Sequence, residues 1–172
     1  MLHSRGSRID LKSGVSVNKI AAINRDVQNY GWDILVVAAD DMICVRSNWD
    51  DQIRDEFKVH FPDLNGVIWH NDNHVGNKLN TMPIIGNRYF HQVLDGNIYH
   101  PDYKSLWADN EFTIVSVKIG KTIYIDDVLF DHQHPLWMHK PYDELMKRNE
   151  ALHDEDKITF EKRMAANFDL PK

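Results

Sequence analysis

The chain has 172 residues, 42% of them hydrophobic and 27% charged, which suits one domain with a real core and leaves two a tight fit. Its formal net charge of -6, with no run of Lys or Arg longer than a pair, argues against a nucleic-acid footprint. A single cysteine, Cys44, excludes an internal disulfide and a cysteine-based zinc site; it suits a reducing compartment, so a cytoplasmic location is expected.

The opening MLHSRGSRIDLKSG is polar, without the apolar segment of a signal peptide, and no later run approaches a membrane span. Residues 17–30 then carry Ile20, Ala21, Ile23 and Val27 at helical spacing, with Gly31 as a stop, and predict a helix. Residues 33–39 form a β-branched apolar run, the pattern of a strand covered on both faces in a parallel sheet, and it ends in Asp40-Asp41. Asn48 is placed to cap a helix from Trp49, with Ile53 and Phe57 inward and Phe61-Pro62 as its end. Residues 66–70 predict the next strand. The Asn- and Gly-rich loop NDNHVGNKLNT follows, then a short strand at 82–85 and a helical turn at 89–94. Residues 112–119 are ambiguous: β-branched content favours a strand, while Phe112, Val115 and Ile119 share a helical face. Residues 121–130 read as a strand running into DHQHP. Beyond Pro141 the chain is highly charged and predicts one or two solvated helices.

The candidate chemistry sits where strands end. In open α/β sheets, ligands bind beyond the carboxyl ends of the strands. Asp40-Asp41 lies at such an end; an Asp pair alone is more often a turn, but a pair directly after a buried strand needs positive charge nearby. His132-x-His134 ends another strand, and in extended chain its rings point to one face. A lone pair of this kind is more often packing. Together with the carboxylates, one imidazole and one or two oxygens would hold a divalent ion and leave positions for water or phosphate. Asp109 and Glu111, after Trp107, have a sufficient structural explanation as acids in a helix's first turn.

The order of NKIAAIN at 18–24, ILVVAADDM at 34–42, IYHPDYKSLWADNEF at 98–112 and DHQHP at 131–135 resembles the later part of a GT-A glycosyltransferase of the broad family 2 type. The resemblance covers about residues 18–135. It implies an α/β fold, a partial GT-A mixed sheet flanked by helices, followed by a charged helical extension over 136–172. It implies transfer of a sugar from a nucleotide-diphosphate donor, most simply a UDP-sugar, to a hydroxyl on a glycan or other acceptor. Asp40-Asp41 takes the place of the DXD-type motif, with Asp41 toward a Mn2+ or Mg2+ ion and Asp40 toward the donor's ribose or a metal-bound water. His134 becomes the late metal ligand with His132 in reserve, and Asp109 the base that takes the acceptor's proton, although Ala108 stands where the family carries an acid. The segment after Asp109 becomes a helix. Lys19 and Asn24 become candidates for holding the nucleotide; Lys19 reads equally as an exposed helix lysine. Trp69, Tyr99, His100 and the loop 71–77 are candidates for the sugar or acceptor side, with core packing the commoner role for the aromatics.

Family members place a strand, a helix and a second strand, which build the base pocket, ahead of the segment resembling 18–30. This chain begins almost at that segment, so by the resemblance it is expected to be either a fragment or truncated product with impaired transfer, or a chain completed by self-association or a complementing partner. A metal-dependent hydrolase using the same Asp and His ligands, and a non-catalytic carbohydrate-binding remnant, are the competing readings.

Overall fold

The computed structural model describes residues 13–171, and the polar segment 1–12 lies outside them. A helix α1 (Lys19–Asn24) opens the fold, capped by Asn18, whose side chain accepts a hydrogen bond from the Ala21 amide at 2.7 Å. The expected helix over 17–30 stops early because Arg25 is extended and Asp26 adopts a left-handed conformation at φ 65°; only a 3-10 turn, Val27–Asn29, follows.

Strand β1 (Ile34–Val36) occupies the apolar run, and β2 (Met42–Cys44) returns after a turn in which the Met42 amide bonds Ala39 O. Helix α2 (Trp49–His60) begins where expected, but Asn48 precedes it in a left-handed conformation and makes no side-chain cap. Asp50 and Asp51 occupy the first turn instead, where the macrodipole favours acids, and both bond Arg54. Strand β3 (Val67–His70) is buried throughout, and β4 (Ile84–Gly86) leads directly into α3 (Asn87–Gln92).

The four-stranded sheet has the order β1-β4-β3-β5, where β5 is Thr122–Ile125. Strand β4 is antiparallel to both β1 and β3, whereas β3 and β5 are parallel. β1 is therefore an edge strand with an antiparallel neighbour, not a member of a parallel sheet, and the sheet is mixed. Its ladder is shorter than the apolar run because Val37 N donates to Pro83 O at 3.1 Å but Pro83 has no N–H to return. The same proline starts β4 at Ile84. Since β1, β3 and β5 share one direction, their carboxyl ends open on one side of the sheet.

The ambiguous segment is helical: α4 (Ala108–Ile119) ends at Gly120, whose φ of 71° closes it. The expected strand over 121–130 breaks at Asp126-Asp127, whose carboxylates take bonds from Asn71 and Tyr124 and from Gln52 and Arg46. The chain then leaves the sheet, and β6 (Phe130–His132) pairs with β2, setting Met42 opposite His132. A short helix α5 (Pro135–Met138), then α6 (Glu144–Glu150) and α7 (His153–Ala165) complete the chain.

Both faces of the sheet are covered. Ile20, Val67, Ile85, Tyr89, Phe90, Phe112 and Phe160 form one core, and Ile53, Phe57, Ile68, Ile84 and Leu129 the other. The charged extension over 136–172 is helical but not merely solvated. Phe160 joins the first core, and the fully buried Asp156 accepts bonds from the amides of Lys104, Ser105 and Leu106 at 2.7–2.9 Å. Arg163 grips Glu111 through two bonds of 2.7 and 2.8 Å. Burial hides these partners from sequence reading because each charge is matched by groups far away along the chain.

Candidate functional site

The chain after β1 turns through exposed Asp40 and half-buried Asp41. Pairing of β2 with β6 brings His132 to Asp41: Nε2 lies 3.6 Å from Oδ1, an oxygen buried without a hydrogen-bond partner among the described residues. Asp72, one residue past the β3–Asn71 junction, meets the other ring nitrogen, with Oδ2 3.3 Å from Nδ1.

Asp72 is 5% exposed and fully engaged. Its Oδ1 accepts from the amides of His74, Val75 and Gly76 at 3.0, 2.9 and 3.3 Å, and Oδ2 also accepts from the Thr81 hydroxyl at 2.9 Å. Burial alone would favour the neutral acid, but His132, these amides and Thr81 outweigh it and hold the carboxyl well below the usual carboxylate range. The loop was singled out by its Asn and Gly content, and Asp72 within it was not. What marks it is only its place directly beyond an apolar strand, the signal that also marks Asp41.

A cavity of about 240 Å³ adjoins this group, lined by Lys19, Ala38, Ala39, Thr81, Ser105 and Asp109 among others. Thr81 joins the two halves, since it lines the cavity and bonds Asp72. Asp109 sits at the start of α4, after the loop that Asp156 clamps from beneath. Burial pushes its carboxyl up from the ordinary value, opposed by the positive charge of Lys19, the Asn110 amide and His132. Lys19, although exposed, thus faces the same cavity as Asp109.

Other expected residues have different surroundings. The Asn24 carboxamide is spent on the Tyr99 backbone, donating to its carbonyl at 2.7 Å and accepting from its amide at 3.1 Å, so it pins α1 to that segment. Tyr99 is core and lines the cavity, and Trp69 is buried in β3. His100 lies on a separate cavity of about 480 Å³ on the side of Arg163 and Phe168. Asn71 and Asn73 tie their loop to Asp126 and Asp131. His134 stands beside His132, ring centroids 5.6 Å apart, but its Nδ1 accepts the Leu136 amide at 3.2 Å and caps α5. Burial lowers its affinity for a proton.

A Mn2+ or Mg2+ ion would meet a buried Asp41 oxygen with no hydrogen-bond partner among the described residues and, 3.6 Å from it, His132 Nε2, a gap that fits two adjacent coordination positions. His134 does not fit as it stands, because accepting at Nδ1 leaves the hydrogen of its neutral ring on Nε2. Among the described residues no group of three or more His, Cys, Asp or Glu side chains is arranged to hold a metal ion. A cation placed here would have only two side chains of the chain, Asp41 and His132, and would need water and a ligand's oxygens to complete its coordination.

Among the described residues no helix is long and apolar enough to cross a membrane. No family model, curated protein or solved structure matches the chain.

Proposed function

We propose that this chain is the catalytic region of a glycosyltransferase that moves a sugar from a nucleotide-diphosphate donor, a UDP-sugar in the simplest case, to an acceptor hydroxyl. The supporting observation is a pair of chemically distinct groups on the same side of the sheet, linked through Thr81 and Asp72. One is the paired Asp41 and His132; the other is the half-buried Asp109, which shares a cavity with Lys19. The carboxylate and imidazole suit a diphosphate-bound cation, and a half-buried carboxylate with raised proton affinity suits a base.

In the reaction the acceptor oxygen attacks the anomeric carbon and passes its proton to Asp109 Oδ. The carbon–oxygen bond to the diphosphate breaks, and its electron pair leaves with the nucleotide diphosphate. Asp41 and His132 would hold the cation, which would supply positive charge to the leaving diphosphate. Lys19 contributes a positive charge facing the cavity, and Asp40, exposed at the turn, is free to meet the donor's ribose. The apolar walls Val37, Ile20 and Leu106 limit water around Asp109.

The test is release of UDP from a panel of UDP-sugars with Mn2+, with and without hydroxyl acceptors. Acceptor-dependent release that drops with Asp109→Asn supports transfer. Release indifferent to every acceptor turns the reading toward a hydrolase.

A further inference from the structure

Ser105 lies on the loop that leads into α4, and it lines the same cavity as Asp109 and Lys19. Its backbone is fixed in place: the amide donates to Asp156 Oδ2 at 2.7 Å, between the Lys104 and Leu106 amides that bond the same carboxylate. The residue is only 4% exposed, yet its hydroxyl is buried with no hydrogen-bond partner among the described residues. A buried hydroxyl left unbonded is costly. This one turns about a single side-chain bond beside a cavity, so a hydroxylated ligand entering there satisfies it. Thr81 adds a second hydroxyl to the lining; its hydrogen goes to Asp72, and its oxygen is left to accept.

The remaining walls set the class of ligand. At about 240 Å³ the cavity is smaller than the sites of about 300–1,000 Å³ that enclose drug-sized molecules, so it admits a single ring and not a chain of them. One carboxylate, Asp109, and one ammonium, Lys19, balance each other in charge, which leaves a charged ligand without a partner of its own. Apolar walls such as Val37 and Ala38 suit the C–H faces of a ring.

We propose that the cavity binds the acceptor as a compact neutral polyol, one sugar ring or smaller, with Ser105 bonding a hydroxyl adjacent to the one that faces Asp109. This rests on the reading of Asp109 as the group that meets the acceptor hydroxyl. Ser105 thereby touches the acceptor and selects for neighbouring hydroxyls.

Amide NMR titrations of the full chain test the assignment, with and without UDP and Mn2+. The probes are methyl glucoside, a vicinal cyclohexanediol and cyclohexanol, the last two being rings of one size that differ by one hydroxyl. The glucoside and the diol should bind and shift the amides around Ser105, with cyclohexanol weaker than the diol by about 2- to 10-fold, the scale of one neutral hydrogen bond. Ser105→Ala should weaken the diol to the level of cyclohexanol. Its melting temperature should stay at or above that of wild type, since the lost hydroxyl had no partner in the fold. Ala38→Leu, at an exposed position on the cavity wall, should weaken all three probes by filling the space. Diol and cyclohexanol binding alike, Ser105→Ala binding the diol as wild type does, a lowered melting temperature in Ser105→Ala, or no shift near the cavity with any probe at about 100 mM overturns the inference. Diol binding that depends on Ser105, without acceptor-dependent release of UDP, upholds the polyol site and sinks the transferase reading. Acceptor-dependent release that Ser105→Ala leaves unchanged in KM does the reverse.

Discussion

At the scale of single residues, Asp109 and Lys19 form one electrostatic unit. Asp109 is half-buried, and that burial raises its proton affinity, while Lys19 pulls in the opposite direction. As a base it works only when ionised, so the acid limb of the rate profile should lie above the ordinary carboxylate value of about 3.9. Lys19→Met removes a charge that favours ionisation, and that limb should move to higher pH; a shift to lower pH, or none, contradicts the shared cavity as an electrostatic unit. Asp109→Asn should reduce turnover by about two to four orders of magnitude, the scale of a lost general base, and leave Mn2+ binding intact. Near-normal transfer would return Asp109 to the ordinary role of an acid in a helix's first turn.

At the scale of elements, the loop 104–106 and the start of α4 are held by α7 rather than by their neighbours in the chain. Asp156 satisfies three amides there, and Arg163 with Tyr103 engages Glu111. Asp156→Ala leaves those donors without partners in a largely buried place, each costing about 1–3 kcal/mol, so a loss of about 3 kcal/mol or more is expected from denaturant titration. A loss under about 1 kcal/mol would mean the clamp is dispensable. None of this was readable in DELMKRNEALHDEDKITFEKRM, where Asp156 is one acid among many and its partners lie about fifty residues away. Asp41 and His132 were readable because each stands at the end of an apolar run. Their meeting was not, since it depends on β2 pairing with β6 after the chain breaks at Asp126-Asp127. Pro83 shortened β1 for a similar reason: a missing donor on the partner strand decides where a ladder ends, and the partner is unknown until the sheet is assembled. The helical periodicity of 112–119 was visible, and α4 follows it because Phe112 packs edge-on against Tyr99.

For the whole molecule, the sheet brings the carboxyl ends of β1, β3 and β5 to one side and sets the cleft there. β1 is bonded to β4 on one side only, so among the described residues no strand occupies its outer edge. An edge strand of Ile34, Leu35 and Val36 is a template for another strand. We therefore expect the purified chain to self-associate with rising concentration or to take up a complementing chain. Light scattering that stays monodisperse and monomeric at about 100 µM would remove that expectation for any pairing tighter than that concentration. Binding of a sugar nucleotide is correspondingly expected to rest on its diphosphate, through Asp41 and His132, more than on its base. The decisive measurement is calorimetric titration of UDP in the presence and absence of Mn2+, on wild type and on Asp41→Asn. Binding that requires Mn2+ and is lost in Asp41→Asn is the predicted result; UDP binding indifferent to both the ion and Asp41, or no binding at saturating concentration, would contradict the account.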